Sequence, residues 1–123
     1  MLKPFPHNKL WFIAGLMYLA VILFISLIPL NDVPLPSFNG IDKVEHFIAY
    51  LIAASYFLQI IQPGYLKRLG FTLILYGVFI ECLQPLTTYR LFEGWDILAN
   101  TLGVLSGILL TRKYQLPYIR RHL

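Results

Sequence analysis

Residues 39–58 read NGIDKVEHFIAYLIAASYFL, with four ionisable side chains, Asp42, Lys43, Glu45 and His46, crowded into the opening turns of an otherwise apolar run. The run beyond His46 is long, does not alternate polar with apolar residues, and is closed by Pro63 and Gly64, which argues a helix rather than a strand. Roughly 20 residues of helix cross a hydrocarbon core of about 30 Å. The stretch therefore has the form of a membrane span with a polar mouth.

The rest of the chain agrees. Of 123 residues 58% are hydrophobic and only 13% charged, against about 25% charged in water-soluble domains, and the mean hydropathy is +0.67. Three more apolar segments accompany the span from Val44 to Ile61: one from Leu10 to Leu30, one from Leu69 to Gln84 and one from Trp95 to Leu110. PLNDVPLPSFNG, QPGYLKR and PLTTYRLFEG separate them. The first segment is too long for the apolar core of a signal peptide and lacks a small-x-small cleavage pattern, so it reads as a retained anchor. The one cysteine, Cys82, excludes a disulfide within the chain and reads as a packing residue.

Charge sets the orientation. Lys3, Lys9, Lys67, Arg68, Arg112, Lys113, Arg120 and Arg121 are eight of the ten bases, and they fall at the N-terminus, the second loop and the C-terminal tail. In a four-span chain these share one side. All six acids lie on or near the other. Basic loops stay cytoplasmic. The expectation is an all-α membrane protein of one domain, 1–123: four transmembrane helices in an antiparallel bundle, both termini cytoplasmic, with a basic tail at 111–123. The net charge of +4 is then an orientation signal, with attraction of the tail to anionic lipid, and requires no nucleic-acid partner.

Polar residues converge on the outer side. Asp42 and Glu45 have the spacing of a capping box. At 100° per residue Lys43, His46 and Tyr50 fall within an arc of about 60°, which Asp42 extends to about 100°, while Glu45 points elsewhere. Glu81 lies four residues before Pro85, roughly 6 Å inside the third helix. An unpaired carboxylate there costs on the order of 2.5–3.5 kcal/mol unless it finds a partner or a proton. Gln84 shares its face. In the fourth span Asp96, Asn100, Gly103 and Gly107 form a polar-then-small stripe. Gly103 and Gly107 make G-x-x-x-G, which lets helices approach closely; packing within the monomer is the first reading and a homo-oligomer the alternative. His46, Glu81 and Asn100 thus reach a similar depth from three helices. Arg90, in the loop above, would be the counter-ion of Asp96 or Glu81 or the clamp for an anionic ligand.

At these residues the chain resembles the VanZ-like family of small bacterial membrane proteins. The resemblance is carried by DKVEHFIAYLI (42–52), GVFIECLQPLTTYRLFEGWDILANTLG (77–103) and, more loosely, SLIPL (26–30). It implies a small helical inner-membrane protein whose polar signature falls on Asp42, Lys43, His46, Glu81, Gln84, Arg90, Asp96 and Asn100. The family's founding member is associated with low-level resistance to the glycopeptide teicoplanin. The resemblance implies no particular reaction.

Two functions follow from the polar layer. One is binding of a membrane lipid or lipid-linked cell-wall precursor, with Arg90, Lys43 and His46 as anion contacts and Asp42, Tyr50, Gln84, Asp96 and Asn100 lining the site. The other is an enzyme, a hydrolase or transferase acting on lipid headgroups, with Glu81 and His46 as general acid and base. His46, Glu81 and Asp96 are the donors from which a metal site could be assembled. No compact ligand motif such as H-E-x-x-H is present, so neither metal nor cofactor is expected. Transport is disfavoured, because the inner halves of the helices hold only scattered polar residues.

Overall fold

The computed structural model describes residues 1–28, 40–87 and 91–114. Four α-helices follow one another: α1 (Asn8–Leu27), α2 (Ile41–Ile60), α3 (Leu66–Leu83) and α4 (Gly94–Lys113). There is no strand among the described residues; the one bridge of sheet type, between Leu2 and Ile61, only ties the N-terminal segment to the end of α2.

The expected spans all fall on helices, with shifted ends. α1 ends at Leu27 with Ile28 extended, and residues 29 and 30 of the expected span lie outside the described residues. α3 starts three residues early because a 3-10 turn over Pro63–Tyr65, with Pro63 at its first position, feeds straight into it. It stops at Leu83, two residues before Pro85, and a second 3-10 turn, Gln84–Thr87, carries the chain onward. A proline lacks the N–H that an α-helix would use there.

The capping box is not formed. Gly40, in the left-handed conformation (φ 89°), is the N-cap of α2, and no side chain caps that end. Asp42 lies inside the first turn and its carboxylate turns to Lys43 instead. Its charge still meets the positive end of the helix dipole. Glu45 is exposed.

α2 and α4 form the most extensive pairing, and the reason is the small-residue stripe. A Cβ on Gly103 would stand 2.3 Å from the Phe47 carbonyl oxygen, and one on Gly107 2.6 Å from that of Leu51. The stripe is used within the chain, where α2 packs on it. α1 is held differently, by side chains that donate to its backbone carbonyls: Tyr56 Oη to Trp11 O at 2.6 Å, Tyr76 Oη to Leu19 O, and Gln84 Nε2 to Ser26 O at 3.3 Å. In return Tyr18 Oη of α1 donates to Ala49 O of α2 at 2.9 Å.

The outside of the bundle is apolar. Leu10, Met17, Val21 and Phe24 on α1, Phe71, Leu75 and Phe79 on α3, and Leu98, Leu102, Leu105 and Leu109 on α4 are all exposed. So continuous an exposed apolar surface is what a lipid solvent selects. Three stretches, Asn8–Leu27, Pro63–Thr87 and Gly94–Lys113, are long and apolar enough to cross a membrane.

Candidate functional site

Of the six buried polar residues among those described, Lys3 and Gln59 lie where α2 and α4 end, and the other four gather at the opposite end of the bundle, where α2 and α4 begin and α3 ends. Glu81, Gln84, Asp96 and Asn100 are 0%, 3%, 5% and 2% exposed. Buried polar groups at that density need one another, because each must replace the water it has lost.

His46 is the hinge of the cluster. Its Nδ1 is 3.1 Å from Asn100 Oδ1, and its Nε2 is 3.6 Å from Asp96 Oδ2. Because an amide oxygen accepts, Nδ1 carries the hydrogen, and Nε2 faces Asp96. The imidazole is thus fixed by α4 from both sides. Glu81 of α3 completes the group: one donor atom each from His46, Glu81 and Asp96 lies within 4.8 Å of the others. Among the described residues no donor makes a hydrogen bond of normal geometry to either Glu81 oxygen, although the backbone N–H of Glu93 lies close.

A second acidic group adjoins the first and shares Asp96. Asp42, Glu93 and Asp96 also approach within 4.8 Å, and the Lys43 ammonium sits among them. It is 2.6 Å from Asp42 Oδ2 and 2.9 Å from Asp96 Oδ1, and it also binds the Glu93 carboxylate. Asp42 and Lys43 precede the apolar run that starts at Val44. Partial burial works to raise the Asp42 carboxyl, yet the Lys43 ammonium holds it below its ordinary value. Burial likewise works to lower Lys43, but hydrogen bonds to the three carboxylates hold it above its own. The ammonium donates to Asp42 and Glu93 and is ion-paired with Asp96, so its charge is already shared among three carboxylates.

Beside the cluster a groove of about 250 Å³ runs between α1 and α2. Asp42, Glu45, His46, Ser26 and Gln84 line it near the mouth; Tyr18, Val21, Ile22, Ala49 and Tyr50 line it deeper in. Tyr50 is 1% exposed, its ring packs beside Gly77, and its hydroxyl has no hydrogen-bond partner among the described residues.

Of the residues singled out in the sequence, His46, Glu81, Asp96 and Asn100 meet in one cluster, Asp42 and Lys43 in its neighbour, and Tyr50 and Gln84 on the groove. Arg90 lies outside the described residues. Two contributions were not foreseen. Glu93, treated only as a loop acid, closes the ring around Lys43; its place next to the start of α4 was the available signal. α1, which carries no charged residue beyond Lys9, supplies one wall of the groove through apolar side chains and Tyr18, and nothing in its composition marks it.

Comparison with known proteins adds the family. A family model described as VanZ/LLP1 matches residues 6–116. The chain belongs to that family. The match runs across all four helices, so the VanZ/LLP1 unit includes the groove wall on α1 as well as the polar cluster. A relative from Schizosaccharomyces pombe, an uncharacterized protein, is 32% identical over 77 residues, covering 59% of this chain and 48% of the relative. The chain thus spans about half the length of that relative. No solved structure matches significantly.

Proposed function

We propose that this VanZ/LLP1 protein binds a phosphate-bearing amphiphile, an envelope lipid or a lipid-linked cell-wall precursor, in the groove between α1 and α2. The supporting observation is the gradation of that groove, from Asp42, His46 and Gln84 at the mouth to Val21, Ile22 and Ala49 further in. A headgroup would meet the polar end while an acyl or prenyl chain follows the apolar walls. The buried Tyr50 hydroxyl needs an acceptor, because an unmade hydrogen bond at a buried polar group costs about 1–3 kcal/mol; a phosphate oxygen would supply one. With Lys43 taken up by carboxylates, the remaining anion contacts among the described residues are His46 and Tyr50.

The setting completes the reading. α2 is the fourth span: Val44, Ile48 and Ile52 give it the same exposed apolar row as its neighbours. Both termini are cytoplasmic, by the distribution of bases, and the groove opens on the outer face of a bacterial cytoplasmic membrane. A relative in a eukaryote favours a headgroup found in both kingdoms. Altered teicoplanin sensitivity would then be a consequence of holding an envelope lipid.

A second reading has its own support. Half-buried His46 lies close to the buried Asp96 and Glu81 carboxylates, which suits acid–base chemistry on a headgroup. One experiment addresses both. The protein is purified in detergent with Tyr50→Phe and His46→Ala variants, and the extracted lipids are identified by mass spectrometry before and after incubation. Enrichment of one phosphate-bearing lipid in wild type, reduced in both variants, is expected; bulk-membrane lipid in all three would overturn the binding reading. A product formed by wild type and not by Glu81→Gln would favour the enzyme.

A further inference from the structure

We propose that His46, Glu81 and Asp96 hold a divalent transition-metal cation, of the Zn²⁺ class, where α2, α3 and α4 meet. Three independent features of the site lead there. The donor spacing is right: metal–ligand distances of about 2.0–2.2 Å put two ligands of one tetrahedral ion roughly 3.3–3.6 Å apart, and His46 Nε2 lies 3.6 Å from Asp96 Oδ2, too far for a good hydrogen bond. All three donor atoms fall within 4.8 Å of one another, so small rotamer shifts bring them onto one ion.

Glu81 is the second feature. Its carboxylate is wholly buried, faces the other two donors, and accepts no hydrogen bond of normal geometry from the described residues. Two carboxylates and an imidazole nitrogen turned toward one another form a site whose charge a bound cation would neutralise. The adjoining group of Asp42, Glu93 and Asp96 has its charge already, in Lys43. Asp96 serves both, giving Oδ1 to Lys43 and Oδ2 to His46.

The third feature is Asn100. A metal-binding histidine almost always donates its other ring N–H to an oxygen that fixes the tautomer and orients the ring, and Asn100 Oδ1 does this at Nδ1. One nitrogen with two carboxylate oxygens favours Zn²⁺ or its first-row neighbours over Mg²⁺ and Ca²⁺, which prefer all-oxygen sites. Three protein donors leave a position open. If the lipid reading also holds, a phosphate oxygen could enter it.

The test is metal titration of the full chain in detergent after a chelator wash, with Zn²⁺ as the probe. Saturable binding of one Zn²⁺ per chain, undisturbed by millimolar Mg²⁺, is expected. Glu81→Gln and His46→Ala should abolish it, and Asn100→Ala should weaken it ~10–100-fold, as loss of an outer hydrogen bond to a metal ligand does. Cys82→Ser, which removes an exposed thiol outside the groove and the cluster, should bind as wild type does. Co²⁺ gives a separate readout through its visible absorption, which His46→Ala should change. Absent or non-saturable binding to wild type overturns the proposal, as does undiminished binding to a folded Glu81→Gln. Should that variant not fold, wild-type stoichiometry and the Asn100→Ala shift decide. Lipid content is not read in this titration, so its outcome is separate from that of the lipid experiment.

Discussion

Asn100 and His46 meet side chain to side chain, 3.1 Å from Oδ1 to Nδ1, across the interface between α4 and α2. The bond joins the two most intimately packed helices at the level of the polar cluster. Its loss leaves the imidazole N–H unpaired beside a small cavity. Asn100→Ala should therefore lower stability by about 1–3 kcal/mol, read as a fall in the detergent-phase melting temperature. Thr101→Ala, whose hydroxyl only bonds back to Ile97 O of its own helix, should change it far less. Equal effects from the two would mean that the cross-helix bond contributes nothing special.

Gly103 gives a sharper steric prediction. A methyl group there would press on the Phe47 carbonyl, which is backbone and cannot rotate away. The helices must then separate, and overpacking of that kind costs typically about 1–3 kcal/mol. Gly103→Ala should destabilise the fold and splay the cluster above it, whereas Gly64→Ala, with open space around it, should be neutral. A Gly103→Ala protein as stable as wild type would show that α2 and α4 are not packed at this distance.

Much of this was legible in the sequence, and the exceptions have physical causes. Hydropathy marks long helices well, because a lipid-facing surface forces nearly every position to be apolar. Depth within a helix is also readable, since rise per residue is constant; this is why His46, Glu81 and Asn100 could be assigned to one layer. Capping was not readable: an Asp-x-x-Glu spacing at 42–45 fits a box, but Lys43 competes for the Asp42 carboxylate and Gly40 takes the cap. Which carboxylates would surround Lys43 could not be read either. Choosing Glu93 depends on how α2 and α4 turn about their axes, and a single sequence carries no such information. The wall supplied by α1 was invisible for a related reason. A helix apolar all round offers no stripe from which to tell its buried side.

Asp42 carries a pH dependence whose sign is fixed. Its folded-state carboxyl titrates below the ordinary value of 3.8 because Lys43 stabilises the anion against partial burial. The folded chain therefore binds that proton less tightly than the unfolded one. The contribution to stability is complete above that ordinary value and is lost as pH falls through the folded one. The side chain is half exposed, so screening keeps the effect below about 1 kcal/mol. Asp42→Asn should melt lower than wild type at pH 6, with the gap closing toward pH 3. A gap that stays constant with pH would assign the difference to packing rather than to charge.

Orientation can be tested with two glycines that have room for a larger side chain and, unlike Gly40, no left-handed backbone. Gly94 lies at the start of α4, beside the acidic mouth, and Gly64 in the turn between α2 and α3, next to Lys67 and Arg68; neither would meet an atom within 4 Å on gaining a Cβ. The lone native cysteine, Cys82, is exposed near the end of α3 and must first be removed as Cys82→Ser. In that background Gly94→Cys should react with a membrane-impermeant maleimide on intact cells, and Gly64→Cys only after permeabilisation. The basic turn then lies inside and the polar groove outside, as the excess of Lys and Arg on one side requires. The reverse pattern would turn the groove toward the cytoplasm and exclude any ligand confined to the outer leaflet. Labelling of both sites on intact cells would mean that α3 does not cross the bilayer.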